Sequence, residues 1–234
     1  MRPDNNLSRD VESTMKEGSP IAAQLEHVVY YPTQKAERYP AIIALHGRGT
    51  DENDLIPLIS SLGLTDVLVI SPRAPRPFEF GGGFAWYDVS QEGVPHAQTF
   101  VSSLDILRRF IDEIKTGYPV NRERIMLLGF SQGTVMAYAV SLLNSASFLG
   151  IAALSGYIPR RSGLPLTLEN LGSFSAFVSH GTYDQIIPVR LARESVELLK
   201  KAEARVDYRE YPMGHEVSEE TVRDLSVWVK DLFR

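Results

Sequence analysis

Six apolar positions in a row, Ile125-Met126-Leu127-Leu128-Gly129-Phe130, run through Ser131 into Gln132–Leu143, which has helical spacing and is apolar nearly all round. A strand without polar alternation must be covered on both faces, as in the interior of a parallel sheet. A helix apolar on every side must itself be buried. Together they demand a sheet with helices packed on each face.

The rest of the chain repeats that alternation. Leu25–Tyr30, Ala41–Leu45 and Val67–Ser71 read as strands, the last stopped by Pro72. A loop rich in Pro, Gly and aromatics follows, reaching to Pro95. Phe100, Leu104, Leu107, Ile111 and Ile114 then fall on one helical face, and Gly117 and Pro119 end that helix. Ile151–Leu154, Ala176–Val178 and Val206–Tyr211 are further strands, and Val189–Lys200 and Thr221–Phe233 are amphipathic helices. This βαβα order predicts a mainly parallel sheet with right-handed crossovers. Active residues are then expected just after strands, at their carboxyl ends.

The 234 residues exceed the usual share of roughly 150 per domain, yet no linker or change of composition divides them. We read 21–234 as one α/β domain. Residues 1–20, polar and charged with no apolar segment, read as a flexible lead-in and not a secretory signal. With no cysteine there is no thiol nucleophile, thiolate metal site or disulfide. A net charge of -5 argues against nucleic acid as a partner. No apolar run approaches the roughly 18 residues of a membrane span. A cytoplasmic protein is the expectation.

Gly129-Phe130-Ser131-Gln132-Gly133 sits between the apolar strand and the buried helix. A serine on so sharp a turn needs close approach of strand and helix, which glycine at 129 and 133 permits, and Ser131 is then raised above the sheet edge. The helix amides behind it face a developing negative charge, which gives the Gln132 amide to an oxyanion hole. A plain glycine turn capped by serine fits the same letters. A phosphate cradle lacks its lysine.

Five histidines compete for the general base. His27 lies in a strand, His96 in a loop before a helix, and His180 ends a strand in a place suited to anchoring a loop. His46 reads as a buried hydrogen-bonding residue. His215 follows the last strand in Tyr211-Pro212-Met213-Gly214-His215, in a loop that reaches the same sheet edge. Asp184 follows the Ala176–Val178 strand in the same way, while its rival Asp207 lies inside a strand. The order Ser131, Asp184, His215 predicts a nucleophile, an orienting acid and a base.

Leu45-His46-Gly47-Arg48-Gly49 follows an early strand and supplies a second set of close-approaching amides, of which the Arg48 amide is assigned to the oxyanion hole. Phe78 to Asp88 combines glycines with aromatics. Aromatics pack more often than they bind, and the stretch carries both readings; Phe84 and Trp86 are the pair assigned to a substrate pocket.

The segments LHGRGTDENDL (45–55), PRAPRP and GGGFAWYD (within 72–88), GFSQG (129–133), HGTYDQIIP (180–188) and YPMGHEV (211–217) together resemble the phospholipase/carboxylesterase family of α/β-hydrolases, which includes acyl-protein thioesterases. The resemblance implies an α/β-hydrolase fold without a large lid domain and Ser131, Asp184 and His215 as a triad. It also implies main-chain amides of Arg48 and Gln132 as an oxyanion hole, no cofactor, and a homodimer as one possible assembly. Arg48 stands where thioesterase-like members commonly carry Leu, and Thr50-Asp51-Glu52-Asn53 is more polar than theirs, which favours a small soluble ester over a palmitoyl group.

The expected function is therefore a serine carboxylesterase acting on short-chain esters, with an acyl thioesterase or lysophospholipase as the alternative. A binding protein that kept the fold and lost its chemistry would be expected to lack at least one of the three residues. A metal hydrolase lacks H-E-x-x-H or any other ligand spacing around His215.

Overall fold

The computed structural model describes residues 14–79, 81–91 and 93–234. Its centre is an eight-stranded sheet: β1 (Met15–Glu17), β2 (His27–Pro32), β3 (Tyr39–Leu45), β4 (Leu68–Pro72), β5 (Val120–Phe130), β6 (Gly150–Leu154), β7 (Ser175–Gly181) and β8 (Arg205–Tyr211). The spatial order is β1-β2-β4-β3-β5-β6-β7-β8. β1 and β2 run antiparallel to their neighbours, and β3 to β8 are mutually parallel.

Both faces of the central strands are covered. Helices α2 (Ala97–Gly117), α3 (Gln132–Leu143) and α4 (Val189–Lys201) pack Phe100, Val135 and Leu199 onto Ile43, Leu127 and Ile151. On the opposite face α1 (Ile56–Ser61) and α5 (Glu219–Leu232) bring Ile59, Leu225 and Val229 against Ile42, Leu128 and Ala152. Neighbours in sequence such as Ile42 and Ile43 thus enter different cores, which is why β3 and β5 show no polar alternation. Each such side chain, fully buried, contributes roughly 1.5–3 kcal/mol. The α5 terminus is set by Ser218, whose side chain accepts from the Thr221 amide, with Glu219 and Glu220 in the first turn.

Three departures from the sequence reading have local causes. Residues up to 20 were expected to lead in flexibly, but Met15–Glu17 pairs with Tyr30–Pro32 and buries Met15; residues 1–13 of that segment lie outside the described residues. Helix α1 is only six residues long, too short to show a period, and carries Pro57 in its first turn. The 72–95 loop carries two short ribbons, Arg76–Pro77 with Phe84–Ala85 and Val89–Gln91 with Val94–Pro95. Their strands are too short for any alternation to register.

Candidate active site

Ser131 stands between β5 and α3 in a backbone conformation that non-glycine residues rarely adopt, φ 55° and ψ -118°. Its amide donates to the Leu154 carbonyl at 3.0 Å, which ties the turn to the end of β6. The strand and helix meet so closely that a Cβ on Gly129 would lie 2.5 Å from the Thr134 amide nitrogen. One on Gly133 would lie 1.8 Å from the Leu45 carbonyl oxygen. Thr134 Oγ1, 2.6 Å from the Gly129 carbonyl and 2.7 Å from that of Leu154, adds a buried tie beneath the serine.

The loops after β7 and β8 bring Asp184 and His215 to the same edge. His215 Nε2 is 2.9 Å from Ser131 Oγ, and His215 Nδ1 is 2.7 Å from Asp184 Oδ2. A carboxylate only accepts, so Nδ1 carries the proton and Nε2 presents its lone pair to the serine hydroxyl. The Asp184 side chain is fully shielded, whereas that of His215 is 18% exposed, so the imidazole is open to a ligand and its partner is not. Asp184 Oδ1 accepts from the Ile186 and Ile187 amides at 2.9 and 2.8 Å, which fixes the carboxylate in its loop.

His180 supports this loop from below. Its Nε2 donates to the Ile187 carbonyl at 2.7 Å and lies 3.2 Å from Asp184 Oδ2. Burial pushes its pKa down, so the ring is neutral in the folded protein. His27 bridges the Leu25 carbonyl and the Tyr118 hydroxyl in the core, and Asp207 faces Arg209 on β8. Neither comes near Ser131 in hydrogen-bonding terms.

The turn after β3 lies against the serine turn: a Cβ on Gly47 would be 3.7 Å from Ser131 Cβ. Among the described residues the Arg48 amide has no backbone acceptor. The Gln132 amide heads α3, where the first turn leaves N–H groups without helical partners. The turn is held by His46, whose Nδ1 donates to the Gly47 carbonyl at 2.6 Å and whose Nε2 accepts from the Ala74 amide at 2.9 Å. Burial lowers the His46 pKa, which fits this neutral donor–acceptor role. Glu52, two oxygens on Arg73 at 2.7 Å, anchors the following loop to the end of β4, and Arg73 lies over the Phe84 ring.

Here the pocket assignment made from sequence needs correction. Trp86 is fully buried, donating its indole N–H to the His46 carbonyl at 2.9 Å and its amide to Gln132 Oε1 at 3.1 Å. Phe84 lies in the short ribbon, its amide on the Thr50 carbonyl. Both brace the two turns, and neither lines the cavity of about 120 Å³ beside Ser131. That cavity is walled by Tyr87, Val89, Tyr157, Ile186, Ile187 and Leu191, with Arg48, Ser131 and Gln132 at one end. Sequence reasoning missed these walls because they come from four separate segments. The signal within reach was Ile186-Ile187, two bulky apolar residues in a loop directly after Asp184. Among the described residues, no three His, Asp or Glu side chains gather where they could hold a metal ion.

A sequence profile of the phospholipase/carboxylesterase family matches residues 26–232. Acyl-protein thioesterase 1 of Candida albicans is 30% identical over 221 residues, covering 86% of this chain and 95% of the relative. Lysophospholipase-like protein 1 of Mus musculus is 27% identical and covers 90% of this chain and 93% of its own. The crystal structure of the Bacillus cereus carboxylesterase superposes with a TM-score of 0.78 at 27% identity, over 90% of this chain and 96% of that one. No helix among the described residues is long and apolar enough to cross a membrane. The chain, with its mainly parallel sheet and no large lid, belongs to the phospholipase/carboxylesterase family of α/β-hydrolases.

Proposed function

We propose that this protein is a serine hydrolase of carboxylic esters, with Ser131 as nucleophile, His215 as general base and Asp184 as the acid that orients it. The observation that carries the reading is the continuous relay from Ser131 Oγ through both nitrogens of His215 to a shielded Asp184 carboxylate, at 2.9 and 2.7 Å. Neutral His215 takes the serine proton as Oγ attacks the ester carbonyl, and Asp184 stabilises the imidazolium that forms. The Arg48 and Gln132 amides receive the oxyanion, a contribution of about 3 kcal/mol per donor in such sites. Collapse expels the alcohol, which takes the proton from His215. Water then repeats the sequence on the acyl-serine and releases the acid.

The small cavity supports a short acyl group, since it falls below the roughly 300–1,000 Å³ of pockets that enclose larger ligands. A second reading, hydrolysis of acyl thioesters or lysophospholipids on the same residues, is supported to a similar degree by the names of the Candida and mouse relatives. The test is hydrolysis of p-nitrophenyl esters and matched S-acyl thioesters of rising chain length by wild type and Ser131→Ala. Short esters cleaved only by wild type are expected. Preference for long acyl chains or thioesters moves the second reading ahead, and equal inactivity of both proteins on every substrate overturns both. A cytoplasmic location and a homodimer, the latter implied by the family resemblance, belong to the same proposal.

A further inference from the structure

A second cavity, of about 330 Å³, abuts the one beside Ser131 and shares Gly93, Tyr157 and Leu191 with it as walls. Its remaining lining is charged in a one-sided way. Arg160 and Arg161 reach it from the turn Arg160–Ser162, and Arg190 from the first turn of α4, and among the described residues that line it the one carboxylate is that of Glu194. Arg190 lies 3.8 Å from that carboxylate. Among the described residues neither Arg160 nor Arg161 takes part in an ion pair, whereas Arg73, Arg76 and Arg193 each hold a carboxylate. Arg48, exposed over the Phe78 ring, lines the Ser131 end of the same groove. In a chain with a net charge of -5, the groove leading away from the nucleophile is thus set with four arginines.

We infer that this groove selects esters whose acyl group ends in an anion, carboxylate or phosphate, held by Arg160 and Arg161 while the scissile carbonyl sits at Ser131. The inference rests on the esterase reading above and adds the substrate class. The acyl portion is the one concerned because the leaving alcohol takes its proton from His215, and His215 lines neither cavity. Guanidinium groups suit both anions, since their planar forks donate to two oxygens at once. A concave wall of like charge also concentrates anionic substrate at the mouth. The reaction remains ordinary hydrolysis: the half-ester and water give the free diacid and the alcohol, with no further reactant.

The test compares p-nitrophenyl half-esters of dicarboxylic acids from succinate to suberate with the same compounds methylated at the distal carboxylate. Wild type is expected to favour the anionic member at its best length by about tenfold in kcat/KM, the scale of one charge-assisted contact. Raising the salt to 0.5 M is expected to shrink that ratio, because exposed charges are screened within a few ångströms there. The ratio is expected to approach unity in Arg160→Gln/Arg161→Gln and to invert in Arg160→Glu/Arg161→Glu. Competitive inhibition of the neutral ester by glutarate or by inorganic phosphate, compared at equal concentration, tells which head group the arginines take. Hydrolysis of neutral esters with no anionic preference, and no inhibition by either anion, overturns the inference and leaves the esterase reading standing. Hydrolysis of neither series overturns both.

Discussion

Trp86 donates its indole N–H to the His46 carbonyl at 2.9 Å and so joins the aromatic loop to the turn that carries the Arg48 amide. Its own amide, donated to Gln132 Oε1, braces the head of α3 from the same side. One residue therefore holds both amides assigned to the oxyanion at a fixed separation.

Replacing Trp86 with Phe keeps most of the buried bulk and removes the indole donor. The expected result is a fall of about tenfold in kcat with a smaller change in KM, because the amides act on charge that develops only after attack. Stability falls by about 1 kcal/mol for the lost hydrogen bond. Steady-state kinetics beside a urea melt separates the two effects. A change confined to KM would place Trp86 in substrate binding, as the sequence alone suggested.

Asp184→Asn preserves an oxygen for the Ile186 and Ile187 amides but offers His215 Nδ1 an amide instead of a carboxylate. The imidazole then loses its preferred tautomer, and kcat is expected to fall by roughly 10⁴-fold with the thermal midpoint nearly unchanged. Asp184→Ala, which also strips the loop of its acceptor, is expected to lose stability as well. Retention of most activity in the Asn variant would remove Asp184 from the mechanism.

His46 and His180 are both held below the ordinary histidine value of 6.5, chiefly by burial. The unfolded chain therefore binds more protons than the folded one as pH drops past that value. Their contribution to stability is complete above about pH 6.5 and is lost as pH falls toward their folded values. Glu52, held low by its hydrogen bonds to Arg73, adds a further loss once pH falls below about 4.5. Thermal midpoints between pH 8 and 5 are expected to decline from about 6.5 downward, and less steeply in His180→Asn. A flat wild-type profile across that interval would contradict the neutral, buried state of both rings.

A Cβ at position 133 would meet the Leu45 carbonyl oxygen at 1.8 Å and that of His46 at 2.7 Å, both backbone atoms rather than the end of a flexible side chain. Gly133→Ala is expected to destabilise the fold by about 3 kcal/mol, at the upper end of overpacking costs, read as a lower denaturant midpoint. An unchanged midpoint would mean that α3 is free to withdraw from β3.

The elements that show in the sequence are those whose pattern is dense. The apolar run Ile125–Phe130 of β5 and the buried helix α3 could be read because almost every position is apolar, and the meeting of Ser131, Asp184 and His215 because each follows a strand that ends at the same edge. The strand Met15–Glu17 could not, since three residues with one buried side chain carry no period. Trp86 was misplaced for a different reason. An indole that braces two backbone turns and an indole that lines a pocket need the same glycine-rich neighbours, and only the His46 and Gln132 contacts distinguish them. The arginines of the second cavity lie thirty residues apart in the chain, so no local motif announces them.

The central claim is that Ser131 is the nucleophile activated by His215. Its most direct test is reaction with a fluorophosphonate ester, which forms a stable adduct only on an activated serine, followed by peptide mass spectrometry. The account predicts one adduct, on Ser131, in wild type, and its loss in both Ser131→Ala and His215→Ala. Labelling of another serine, or labelling of Ser131 that persists without His215, would contradict it.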